Sequence, residues 1–161
     1  MRIGLDFDNT LVCYDNIFRE AAVARGLFPA GTPGGRSEVR SWLKGSGRED
    51  EWTELQGEVY GPRLIFAPPF PSALEFLDAC ASADVQVVVV SHKTRFGERG
   101  PAIDLRAAAH HWLATYGVAL GVYFEPTRAE KLARIRALGC SIFVDDLVEV
   151  LADPAFPPGV E

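Results

Sequence analysis

Residues 3–11 read Ile3-Gly-Leu-Asp-Phe-Asp-Asn-Thr-Leu11, a short apolar run that ends in two aspartates one residue apart. The run is too short for a free-standing helix and fits a buried parallel strand. In open α/β sheets ligands bind outside the carboxyl ends of the strands. Asp6 and Asp8 therefore fall where an α/β protein does its chemistry.

Working outward, the chain alternates apolar strand candidates with helical stretches. Residues 15–26 read as a helix stopped by Gly26, residues 29–36 as a Pro/Gly loop, and residues 37–44 and 48–60 as two polar helices. Ser72-Ala-Leu-Glu75 has the form of a capping box and opens a helix over 73–83. Val85-Gln-Val-Val-Val-Val90 is a second buried strand, with Ser91 at its end. A polar loop runs through Gly100 and Pro101, a helix spans 102–116, and Gly121–Glu125 is a third strand. Thr127-Arg-Ala-Glu130 is a second capping box, opening a helix to Leu138, and Ser141-Ile-Phe-Val144 is a fourth strand. The Pro-rich tail from Phe156 looks as though a fifth strand could follow. Helix–strand units joined by short connections predict an α/β fold, a parallel sheet flanked by helices. Residues 13–69 carry no convincing strand and read as a small helical cap inserted after the first strand, leaving 1–12 and 70–161 as the core domain.

Composition narrows the function. The 161 residues carry a net charge of −6, with 48% apolar and 24% charged positions, ordinary for a globular protein. A nucleic-acid footprint is normally basic, so none is expected. No apolar run approaches membrane-spanning length. Three cysteines at long spacings, Cys13, Cys80 and Cys140, suggest neither a disulfide framework nor a zinc site. The chain opens on a strand rather than a signal-like segment, and a reducing, cytoplasmic setting is the expectation. No GxxxxGK[ST] occurs, which excludes a P-loop enzyme. A receiver domain would place its acidic pair differently and lack the helical insert.

Three of the four strands end in groups suited to phosphate chemistry: Asp6/Asp8, Ser91 and Asp145/Asp146. The helix after the remaining strand supplies Lys131. DxDNT after a first strand, Ser after a second, Lys on a later helix and Asp-Asp after a fourth strand together resemble the haloacid dehalogenase-like (HAD) hydrolase superfamily. The resemblance covers about 100 residues outside the cap. It implies a Rossmann-like core and a phosphatase of the type with a small helical cap.

On that resemblance Asp6 is the nucleophile, since a carboxylate attacking phosphorus splits one difficult step into two easier ones. Asp8 is the general acid and base, an assignment that argues against a true dehalogenase because departing halide needs no proton. Asp145 and Asp146 are adjacent carboxylates whose repulsion a hard divalent cation relieves. The resemblance makes Asp145 a direct Mg²⁺ ligand beside Asp6 and the backbone carbonyl of Asp8, with Asp146 binding directly or through water. It assigns Lys131 to holding the nucleophile and the phosphoryl oxygens. Ser91 and Thr10 fall at phosphate-binding motif positions, Thr10 to orient its loop, and the donor-dense stretch His92-Lys93-Thr94-Arg95 lies at the same edge.

Each residue also has a structural reading. The aspartates can cap local turns, with Asp146 as the N-cap of the next helix, Ser91 can close a turn, Lys131 can be solvated, and 92–95 can be a surface loop. Lys93 competes with Lys131 as the phosphate lysine. Arg63 and Arg95 are further candidate substrate contacts. His110 and His111 read as surface residues without metal-ligand company. Trp52, Gln56 and Tyr60 recur on one helix face, where core packing is favoured over a pocket. The function expected is Mg²⁺-dependent hydrolysis of a small phosphorylated substrate, a sugar phosphate or nucleotide. The alternatives are phosphoryl transfer on the same core, as in a mutase, and a non-catalytic ligand- or partner-binding protein.

Overall fold

The computed structural model describes residues 1–161 and divides into two compact units. The first comprises Met1–Cys13, Pro69–Thr94 and Ala119–Glu161. It holds strands β1 (Arg2–Leu5), β2 (Gln86–His92), β3 (Gly121–Glu125) and β4 (Ile142–Val144) in one parallel sheet of order β3-β2-β1-β4. With α4 (Ala73–Ser82) against β2 and α6 (Arg128–Ala137) against β2 and β3, this is an α/β sheet flanked by helices. Parallel order follows from apolar strands joined by helical crossovers.

β1 lies between β2 and β4, with Leu5 opposite both Val89 and Val144. The strand that ends in Asp6 is therefore an inner one, and the Asp6 amide continues the ladder by donating to the Val144 carbonyl at 2.8 Å. On one face Val90, Leu132, Ile135, Cys140, Phe143 and Val150 form the core, with Val88 and Tyr123 packed against it. Side chains alternate along a strand, so Val89, also fully buried, serves the opposite face. Gly4 lies under Phe143, where no side chain fits: an added Cβ would come within 2.6 Å of Phe143 Cδ2 and 3.1 Å of Cys140 Sγ.

The second unit comprises Tyr14–Pro68 and Arg95–Val118. It is helical: α1 (Asp15–Ala24), α2 (Arg36–Gly45), α3 (Glu49–Tyr60), a single 3-10 turn at Leu64–Phe66, and α5 (Leu105–Thr115). α1 packs on α2 and α3, and on α3 it does so through aromatics. Phe18 stacks on Trp52 at 5.1 Å, and Tyr60 meets Tyr14 and Phe18 edge-on. Trp52 and Tyr60 thus pack on this aromatic cluster, while Gln56 between them is partly exposed. No helix is long and apolar enough to cross a membrane.

Several sequence expectations change. The insert drawn at 13–69 gains a second segment by packing, because α5 groups with the helices of that stretch. Buried Trp112 donates from Nε1 to the Ala67 carbonyl at 2.8 Å. α5 starts at Leu105, later than expected, because Asp104 caps it by accepting from the Arg106 and Ala107 amides. Ser72 is no capping residue: it adopts φ 63° and its side chain makes no cap bond. Thr127 does cap α6, accepting from the Glu130 amide at 3.2 Å. β2 extends two residues beyond Val90 and takes in Ser91 and His92. Glu161 pairs with the outer edge of β4, its amide donating to Ser141 O and its carbonyl accepting from the Phe143 amide, and the sheet has four strands.

Gly4→Ala is expected to destabilise the protein by about 1–3 kcal/mol through overpacking against Phe143. Urea unfolding of the variant beside the parent chain measures this.

Candidate active site

The chain leaves β1 at Leu5 and coils at once, the amides of Leu11 and Val12 both donating to Phe7 O at 3.1 Å. Asn9 carries φ 55°, a left-handed conformation that asparagine tolerates better than most residues. Its Nδ2 donates to Asp146 Oδ2 at 3.3 Å, tying this loop to the one after β4. No role for Asn9 was read from the sequence; its place in a tight turn was the available signal.

Asp6 is 5% exposed and the Asp145 carboxylate is fully buried. Carboxylate oxygens of Asp6, Asp145 and Asp146 all lie within 4.8 Å of one another. Like charges at this spacing repel, and burial removes the water that would screen them. Lys131 answers this: 2% exposed, its Nζ stands 2.6 Å from Asp6 Oδ1 and 2.6 Å from Asp145 Oδ2. Burial alone would lower the Lys131 pKa, but the attraction of Asp6 and Asp145 outweighs it and the net shift is upward. Asp6 moves the other way from a normal carboxylate. Burial pushes its pKa up to about 7, Lys131 pulls it down, and the charges on Asp8 and Asp145 add to the rise. Asp145 also accepts from the Leu147 amide at 3.0 Å, which fixes its second oxygen.

Three convergent carboxylates offer the oxygen donors that a hard divalent cation takes, and a cation there would relieve the crowding that raises Asp6. The donor set fits such an ion.

The second lysine is placed differently. Lys93 is 4% exposed, and its Nζ stands 3.0 Å from both Asp8 oxygens. Its amide donates to Glu125 O at 2.9 Å, and its Nζ lies 5.3 Å from the centroid of the Phe7 ring. The two lysines thus pair with different aspartates, Lys131 with Asp6 and Asp145, and Lys93 with Asp8. Ser91 is buried within β2, Thr10 is partly exposed in the coil after Asp8, and His92 is exposed with its ring nitrogen 2.9 Å from Pro126 O. Arg63 and Arg95 belong to the helical unit. There Arg63 pairs with Glu58, and Arg95 pairs with Asp104 at 2.8 Å. His110 and His111 are exposed.

A haloacid dehalogenase-like family hydrolase from Xanthomonas campestris shares this architecture. The TM-score is 0.52 at 14% identity, over 96% of this chain and 79% of that one. A HAD-superfamily hydrolase from Ehrlichia chaffeensis aligns with TM-score 0.48 and 19% identity over 93% and 80% of the two chains. No protein-family model matches the chain, and no curated protein matches it. The Xanthomonas likeness defines the class of fold, the α/β fold of HAD-like hydrolases. At this identity it speaks for the fold alone.

Two outcomes follow from the charge arrangement. Removing the shared cation with Lys131→Met strands two buried carboxylates and is expected to cost about 3–5 kcal/mol in urea unfolding with chelator present. Asp6, whose folded pKa lies near 7 against an ordinary 3.8, contributes stability that is complete below the lower value. That contribution is lost as the pH rises through about 7. Unfolding free energy of the cation-free protein should therefore fall with rising pH across this window, and more steeply than in Asp6→Asn; equal slopes would contradict the assignment.

Proposed function

We propose that this protein is a metal-dependent phosphomonoester hydrolase that works through an aspartyl-phosphate on Asp6. The observation that carries the reading is the constellation at the end of β1. A buried carboxylate there is held by a buried lysine, a second aspartate follows two residues on, and an acidic pair comes from β4.

In this reading the phosphoryl group of the substrate lies beyond Asp6, with Lys131 neutralising part of its charge. An Asp6 oxygen attacks phosphorus in line while the bond to the alcohol oxygen breaks. Asp8 gives its proton to that departing oxygen, so a neutral alcohol leaves. A water then attacks the aspartyl-phosphate, Asp8 takes its proton, and inorganic phosphate and free Asp6 return. Ser91 and Thr10 are candidate donors to the phosphoryl oxygens. Asp6, Asp145 and Asp146 would hold Mg²⁺, which supplies charge neutralisation at the transferring phosphoryl group. Positioning and electrostatic stabilisation carry most of the acceleration in such transfers. The substrate class we favour is a small phosphorylated metabolite. All three cysteines are free, in keeping with the reducing cytoplasm proposed as its setting.

With Mg²⁺ the protein is expected to hydrolyse p-nitrophenyl phosphate, to stop when the cation is chelated, and to lose turnover in Asp6→Asn. For alkyl phosphates Asp8→Asn should lower kcat about 10²- to 10⁴-fold. Turnover that persists in Asp6→Asn, or that chelation leaves unchanged, overturns the reading.

A further inference from the structure

The division of the two buried lysines has a consequence for Asp8. Lys131 is committed to Asp6 and Asp145, and Lys93 to Asp8. The Lys93 main chain is fixed because it continues β2 past His92, its amide held by Glu125 O in the ladder with β3. Its ammonium lies over Phe7, whose ring is itself held edge-on by Phe124 at 5.8 Å. A buried ammonium needs an oxygen acceptor beside it, and Asp8 supplies one with both oxygens at 3.0 Å, an acceptor its carbonyl oxygen still offers when the other oxygen carries the proton.

Asp8 is the more exposed partner. It sits in the short coil after β1, and its side chain is 25% exposed against 3% for Lys93. A carboxyl group that must meet a departing oxygen, and later a water, needs a fixed orientation, because a misplacement of about 1 Å can cost about 100-fold in rate. A cation held at two distances from a rigid strand end supplies that orientation.

We propose that Lys93 is a positioning residue for Asp8, acting on the reaction through that carboxylate rather than by gripping the substrate phosphate. The inference rests on the phosphatase reading above and adds a member to its machinery.

The test is a double-mutant cycle on p-nitrophenyl phosphate with Mg²⁺, comparing the unmodified chain, Lys93→Met, Asp8→Asn and both together. Nitrophenolate departs without a proton, so the first turnover is measurable in Asp8→Asn. Lys93→Met is expected to lower kcat about 100-fold through slower breakdown of the aspartyl-phosphate, with KM not raised. The double variant should release nitrophenolate no more slowly than Asp8→Asn alone. Losses that multiply in the double variant, or a raised KM with kcat preserved, overturn the inference and make Lys93 an independent phosphate contact. The double variant replaces the ion pair with two neutral groups, so it should fold even if Lys93→Met leaves Asp8 too poorly compensated to do so. Its comparison with Asp8→Asn then decides alone. No turnover by the unmodified chain would overturn the phosphatase reading and this inference with it. Turnover with multiplying losses would overturn only the inference.

Discussion

Like charge crowded at one edge of a sheet is the constraint around which this fold is arranged. Asp6, Asp8, Asp145 and Asp146 come from the ends of two adjacent strands, and two of them are almost fully buried. Water cannot screen them there, so fixed cations must. Both cations come from far along the chain: Lys93 is 85 residues from Asp8, and Lys131 is 125 residues from Asp6. β2 must run past its valines to deliver the first, and α6 must dock on β2 and β3 to deliver the second. The apolar contacts of Val90, Leu132 and Ile135 that seat α6 therefore also seat the counter-charge of the candidate nucleophile.

How much of this was legible in the sequence depended on how local each feature is. Asp6, Ser91 and Asp145 could be placed because each ends or follows an apolar run too short for a free-standing helix, which reads as a buried strand. The parallel order followed from the crossovers. The partition of the lysines was not legible, because it depends on strand register: only the continuation of β2 through His92 sets Lys93 against Glu125 O and turns it to Asp8. Ser72 misled for a different reason. The Ser-x-x-Glu pattern names the residue types of a cap but not the backbone, and a left-handed Ser72 cannot present its hydroxyl to the helix.

The helical unit shows the same limit. The periodicity over 102–116 gives α5 an apolar face but does not name what the face meets. Trp112 and its bond to Ala67 O do that, and they join α5 to the stretch before Pro68. The aromatic stripe on α3 is spent on α1, with Phe18 and Tyr14 filling the space between them. Arg63 and Arg95 each face a carboxylate of their own unit, so their charge is already matched within it.

β1 is hydrogen-bonded along both sides, to β2 and to β4, and the Asp6 amide extends that ladder. Fraying starts at edges and loops and reaches an inner parallel strand last. Asp6 is thus carried by a segment whose amides exchange with solvent only when the sheet as a whole comes apart. Thermal fluctuation that loosens the outer strands leaves its backbone where it was, whereas Asp145 and Asp146 follow β4 at the edge of the sheet, so the acidic cluster has one fixed member and two that move with that edge.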